Sequence, residues 1–123
     1  MTRVNLGEHS KITVKPAERE RLQSFYRDVL GCKVVTKSQA ADAILLGPNF
    51  HIGVIYDEAA LSDSEARKAI WLELRAEDPE GLREKILSVG IQRIEFWDKE
   101  HFYFQAPGGQ VFRLTGATED MSK

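Results

Sequence analysis

The chain carries one pattern of elements twice, and that repetition restricts the folds open to it more than any other feature. The stretch PAERERLQSFYRDVLG places Leu22, Phe25, Tyr26, Val29 and Leu30 at the i, i+3, i+4, i+7, i+8 spacing of an amphipathic helix. Pro16, Glu18 and Glu20 suit its first turn, and Gly31 suits the left-handed position after its last. HSKITV precedes it as a half-buried strand, and CKVVTK, DAILLG and FHIGVIYD follow as three more. The same β-α-β-β-β order then returns. IWLELRA reads as a strand and DPEGLREKILSVG as a helix, with Asp78 as cap, Pro79 at its first position, Leu82, Ile86 and Val89 on one face, and Gly90 as terminator. IQRIEFW, HFYFQA and QVFRLTG complete the second set. His9 and Trp71, Gly31 and Gly90, and Gly53 and Arg113 recur about 60 residues apart, the mark of an internal duplication.

The expected organisation is a single domain over 1–123. It holds a first module at about 7–57, a connector at 58–69, a second module at about 70–116 and a tail at 117–123. In the connector, Ser62 stands three residues before Glu65, the spacing of a capping box. A chain of 123 residues is long enough for one real core and too short for two independent domains. A formal charge of −2 gives no basic excess, which argues against nucleic acid as a partner. No apolar run is long enough for a membrane span, and the N-terminal stretch lacks the apolar segment of a secretory signal. The single Cys32 fits a reducing, cytoplasmic setting and reads as a buried, inert thiol.

The closing stretch APGGQVFRL poses a sharper question. A Pro-Gly-Gly turn leads into a strand whose Phe112 and Leu114 claim the packed face, so Arg113 points the other way. The same alternation puts His9 and Lys11 on one face, His51 and Gly53 on one face, and Trp71 and Glu73 on one face, with Tyr103 expected beside Trp71. Aromatics among a few charged groups suit either a small-molecule pocket or a dimer interface. Trp97, in EFWDKEH, reads as a packing residue or loop cover.

His9 at the start of its strand, the helix ending FYRDVLG, the second repeat opening WLELRAEDPEGL and the closing APGGQVFRL together resemble the vicinal oxygen chelate superfamily. That superfamily includes glyoxalase I, bleomycin-resistance proteins, fosfomycin-resistance enzymes and extradiol dioxygenases. The resemblance spans about residues 7 to 116 and implies an α+β fold, two βαβββ modules whose curved sheets surround a cleft, completed in a homodimer. Metal-dependent members carry four ligands, on the first and last strands of each module. The positions that correspond are His9, Gly53, Trp71 and Arg113, and only His9 is a ligand type. The resemblance therefore implies a family site without its metal, and no cofactor. A different set, His9, His51 and Glu73, is the alternative by which a divalent ion could still be held.

Two function classes follow. One is a binding protein of the bleomycin-resistance kind, holding a small polar or anionic molecule with Lys11, His51, Trp71, Glu73, Tyr103 and Arg113. The other is an enzyme: a metal-dependent lyase, transferase or dioxygenase, or a metal-free variant with His9 as catalytic acid or base. Arg113 separates two local readings, since it either pairs with Glu73 inside the protein or anchors an anionic ligand.

Overall fold

A computed structural model describes residues 3–117; from Thr118 onward the expected tail lies outside the described residues. Two units divide the chain, Met1–Ala60 and Leu61–Lys123. Each contains one mixed four-stranded sheet.

In the first unit the strands are β1 (His9–Val14), β2 (Lys33–Ser38), β3 (Ala41–Leu46) and β4 (Phe50–Tyr56), in the spatial order β1-β4-β3-β2. β2, β3 and β4 pair antiparallel, while β1 runs parallel to β4, as a strand separated from its neighbour by a helical crossover can. The predicted helix is present but not uniform. A 3₁₀ turn over Pro16–Glu18 leads into α1 (Arg19–Ser24), and the last turn widens into a π turn over Phe25–Val29. Leu30 N–H bonds to Phe25 C=O at 3.1 Å across that turn. Leu22, Phe25 and Tyr26 are buried, as the periodicity requires.

Asp42 on β3 ties this helix to the sheet, although nothing in the local sequence singles it out. Its carboxylate, fully enclosed, accepts hydrogen bonds from Arg19 Nη2 at 2.7 Å, Gln23 Nε2 at 3.0 Å and Tyr56 Oη at 2.6 Å. The Arg19 guanidinium also stacks over the Tyr56 ring at 4.7 Å and donates to the backbone carbonyls of Ser38, Gln39 and Ala41.

The second unit repeats the plan. A short helix α2 (Asp63–Ala66) opens it, closed at its start by the Ser62–Glu65 capping box. The strands are β5 (Trp71–Ala76), β6 (Arg93–Ile94), β7 (Phe102–Gln105) and β8 (Val111–Gly116), in the order β5-β8-β7-β6 with β5 parallel to β8. Between β5 and β6 lies α3 (Pro79–Ser88), capped by the Asp78 side chain on Gly81 N–H and followed by Gly90 in the left-handed region. Ile86 is fully buried, but Val89 is 54% exposed. It sits at the C-cap, past the last turn whose face packs.

β6 is much shorter than the stretch IQRIEFW suggests. The chain leaves the ladder after Ile94 because Arg93 Nη2 donates to the carbonyls of Lys99 and His101, holding a loop in place of further strand. Within that loop Phe96 turns inward onto Tyr103, ring centroids 4.7 Å apart. Its neighbour Trp97 consequently turns outward and is 90% exposed, so it neither packs nor covers. The turn before β8 needs both of its glycines, since Gly108 and Gly109 have φ of 97° and 110°. Among the described residues no helix is long and apolar enough to cross a membrane.

Candidate functional site

The two units place corresponding residues in matching registers. In the first, His9 lies opposite His51 and Lys11 opposite Gly53; in the second, Trp71 lies opposite Val111 and Glu73 opposite Arg113. The strand alternation read from the sequence therefore holds on both sheets.

On the first sheet the imidazoles of His9 and His51 meet edge to face, centroids 4.8 Å apart. Lys11 Nζ donates to Thr13 Oγ1 at 2.9 Å. Gly53 has ordinary extended backbone rather than positive φ. A Cβ built there would meet only the Ser10 carbonyl, at 3.4 Å. No hydrogen-bonded carboxylate orients His9 among the described residues, which leaves that ring without the partner a general base normally has.

The second sheet concentrates more chemistry. Arg113 projects from the face opposite Phe112 and Leu114, as alternation demands, and its guanidinium lies over the Trp71 indole, Cζ 4.2 Å from the ring centroid. Tyr103, beside it on β7, meets Trp71 edge to face at 5.7 Å and takes a long hydrogen bond from Arg113 Nη1, 3.4 Å. Glu73 Oε2 is 3.9 Å from Arg113 Nη2, while Glu73 Oε1 accepts from Arg75 Nε at 3.0 Å. Trp71, Glu73, Tyr103 and Arg113 are thus brought together, as the alternation implies.

Asp98 is the member of this group that sequence reasoning missed. It comes from the loop after β6, where a single acidic residue in EFWDKEH gives no signal of what it will touch. Asp98 Oδ2 accepts from Tyr103 Oη at 2.9 Å and from His101 Nδ1 at 2.8 Å, and lies 3.7 Å from Arg113 Nη1. Burial alone would raise its pKa. The Glu100 backbone N–H together with His101 and Tyr103 outweighs that and brings it down to about 2, so Asp98 is ionised at neutral pH. Tyr103 shifts upward, chiefly through burial. Asp98 thus adds a second carboxylate beside Arg113, and Glu73 is shared with Arg75.

Residues 11–115 match the family described as the glyoxalase-like domain. The chain belongs to that family. No curated protein sequence matches it. A glyoxalase family protein from Bacillus anthracis has a similar structure, with a TM-score of 0.72 at 14% identity over 94% of this chain and 98% of that one. The fosfomycin resistance protein FosX from Listeria monocytogenes gives 0.69 at 14% identity over 93% and 91%. TnmS3, an antibiotic binding protein from Streptomyces, gives 0.65 at 12% identity over 94% and 98%. These likenesses show the fold, and they agree with the vicinal oxygen chelate superfamily and its α+β, two-module plan.

By the resemblance, the superfamily's metal-ligand positions correspond to His9, Gly53, Trp71 and Arg113. Of the four corresponding residues only His9 has a ligand lone pair; Gly53 has no side chain, the Trp71 indole donates only, and Arg113 carries a positive charge. Of the alternative trio, His9 and His51 touch, while the Glu73 carboxylate is engaged by Arg75. Among the described residues no group of three or more His, Cys, Asp or Glu is placed to hold a metal ion.

Proposed function

We propose that this glyoxalase-like protein binds a small polar molecule bearing an acidic group, holds it on the Trp71–Arg113 face of the second sheet, and does so without a metal and as a homodimer. The observation that carries this reading is the contrast between two arginines. Arg19 is saturated: Nε, Nη1 and Nη2 all donate to Asp42 or to backbone carbonyls. Arg113 is no more exposed than Arg19, with 15% of its side chain accessible against 23%. Yet it makes a single hydrogen bond, at 3.4 Å, and its buried Nε makes none. Both neighbouring carboxylates stand beyond hydrogen-bond range. A guanidinium with five donors, oriented by an indole and left this far from saturation, is suited to accept a ligand carboxylate or phosphate.

The aromatic faces of Trp71 and Tyr103 supply contact area for the rest of such a molecule, and Trp71 is 38% exposed. Holding rather than transforming a ligand is favoured because His9, the family's remaining ligand type and the candidate acid or base, has only an imidazole for a ring neighbour. Burial pushes the Cys32 thiol up to about 11, so that it stays protonated and unreactive at neutral pH.

Elemental analysis and thermal unfolding test the proposal together. The purified protein is expected to hold well under one equivalent of transition metal, and inorganic phosphate, acetate or benzoate should raise Tm in the wild type but not in Arg113→Met. A stoichiometric metal abolished by His9→Ala overturns the metal-free reading. No anion effect, with Arg113→Met and Glu73→Gln destabilising non-additively, makes Arg113 an internal strut instead.

A further inference from the structure

Arg113 presents its Nη2 to an incoming acid. Its Nε is enclosed without a partner, and Nη1 is engaged by the long bond to Tyr103 Oη. Nη2 makes no hydrogen bond among the described residues and is not enclosed. The two carboxylates that flank the guanidinium are not equivalent. Asp98, on the Nη1 side, already accepts from Tyr103 Oη and His101 Nδ1 on one oxygen and from Glu100 N–H on the other. Glu73, on the Nη2 side, has Oε1 occupied by Arg75 Nε, while Oε2 stands 3.9 Å from Nη2 and accepts no hydrogen bond among the described residues.

This placement constrains what an acid bound at Arg113 must look like. An acid oxygen on Nη2 comes to rest beside Glu73 Oε2, because both lie against the same nitrogen. Two carboxylates then share one guanidinium, with ionised Asp98 close by on its other side. Like charges this close oppose binding, and partial exclusion of solvent strengthens the opposition. Arg75 offsets Glu73 only in part, since its own side chain is half exposed and solvent screens the pair. A bare anion such as acetate therefore meets attraction and repulsion together. A ligand carrying a cationic hydrogen-bond donor next to its acid relieves the repulsion and fills the open Glu73 oxygen.

We infer that the ligand class of this face is an α-amino acid with an apolar side chain, selected by Glu73, an inference that rests on reading Arg113 as the anchor of an acid. The carboxylate bonds to Nη2 and the ammonium, two bonds from the carboxylate carbon, donates to Glu73 Oε2. The side chain lies along the exposed part of the Trp71 indole. A hydroxyl in place of the ammonium also donates but brings no charge, so an α-hydroxy acid ranks between the amino acid and the plain acid.

The test is an NMR titration of the full chain, read on the Trp71 indole N–H signal, with four compounds of one skeleton. They are L-phenylalanine, phenyllactate with a hydroxyl for the amine, hydrocinnamate with neither, and phenethylamine without the carboxylate. Phenylalanine is expected to saturate at on the order of 1 mM, with hydrocinnamate and phenethylamine about tenfold weaker and phenyllactate between. Glu73→Gln should weaken phenylalanine about tenfold while hydrocinnamate binds as well as before or better, a crossover that damage to the fold would not produce. Arg113→Met should weaken both. Equal binding of phenylalanine and hydrocinnamate, or a preference for phenylalanine that survives in Glu73→Gln, overturns the proposal and leaves Arg113 as the anchor of an acid. No binding of phenylalanine overturns it too, and if hydrocinnamate, acetate and phosphate also fail, the anchor reading falls with it.

Discussion

A side chain that is absent can be as informative as one that is present, and Gly53 is the case at hand. Its φ is not positive and the space beside it is open, so the glycine is not required by the backbone. Glycine in a regular strand costs roughly 0.5–1 kcal/mol relative to alanine. Gly53→Ala is therefore expected to leave stability unchanged or raise it by about 0.5 kcal/mol, and Gly53→Glu to fold with a change of no more than about 1 kcal/mol, because the added side chain meets only the Ser10 carbonyl and its charge falls beside Lys11. Urea denaturation checks both. A loss of more than about 2 kcal/mol for the alanine variant alone would mean that the position is closed and was never free to carry a ligand. At this scale alternation was enough to place Arg113, Glu73 and Trp71 on one face. It could not announce Asp98 or fix the outward turn of Trp97, because a loop's direction depends on bonds such as those from Arg93 that span several residues.

Between elements, the Asp42 cluster joins α1 to β3 and β4 through one carboxylate. Arg19, Gln23, Asp42 and Tyr56 are scattered in the sequence and converge only once the helix crosses the sheet, so no local pattern reveals them. The elements themselves were legible because their evidence is local: 3.6-residue periodicity, the Ser62 and Asp78 caps, and Gly31 and Gly90 after the two longer helical segments. Burial on its own would raise the Asp42 pKa. The hydrogen bonds from Arg19, Tyr56 and Gln23, with the Arg19 charge, outweigh it and leave the pKa below its ordinary value. A depressed folded-state pKa stabilises the fold above the unfolded value, roughly 3.9, and that contribution is lost as pH falls through the folded-state pKa. Asp42→Ala leaves the Tyr56 hydroxyl and the Gln23 amide without their acceptor and should cost about 1–3 kcal/mol at pH 7. Asp42→Asn removes the charge but keeps the shape, so it should flatten the pH dependence of stability below about pH 4. Chemical denaturation of the three proteins at pH 7 and pH 3 checks this, and a wild-type profile as flat as that of Asp42→Asn would remove Asp42 from the account.

For the whole molecule, duplication leaves the same liability twice. β1 and β5 are both edge strands, each bonded on one side only. Edge strands with apolar neighbours invite pairing with another chain unless something covers them. Here the residues flanking the two edges are apolar and open to solvent: Val4 and Leu6 before β1 are 79% and 99% exposed, and Ile70, immediately before β5, is 72% exposed. Two such sites on one chain suit a two-fold assembly, in which each copy covers the other's edges with the same residues. The expected state at micromolar concentration is a homodimer. Lysine is poorly tolerated in an apolar contact and common on exposed edges, so Leu6→Lys and Ile70→Lys should weaken the dimer about tenfold or more. Both residues are exposed within the chain, so the fold of each copy should persist. Multi-angle light scattering across a dilution series reads the first effect, and circular dichroism at low concentration reads the second. A single species at the chain mass, 13.9 kDa, would leave these apolar edges uncovered and refute the assembly argument. A dimer indifferent to both lysines would place the interface elsewhere on the molecule.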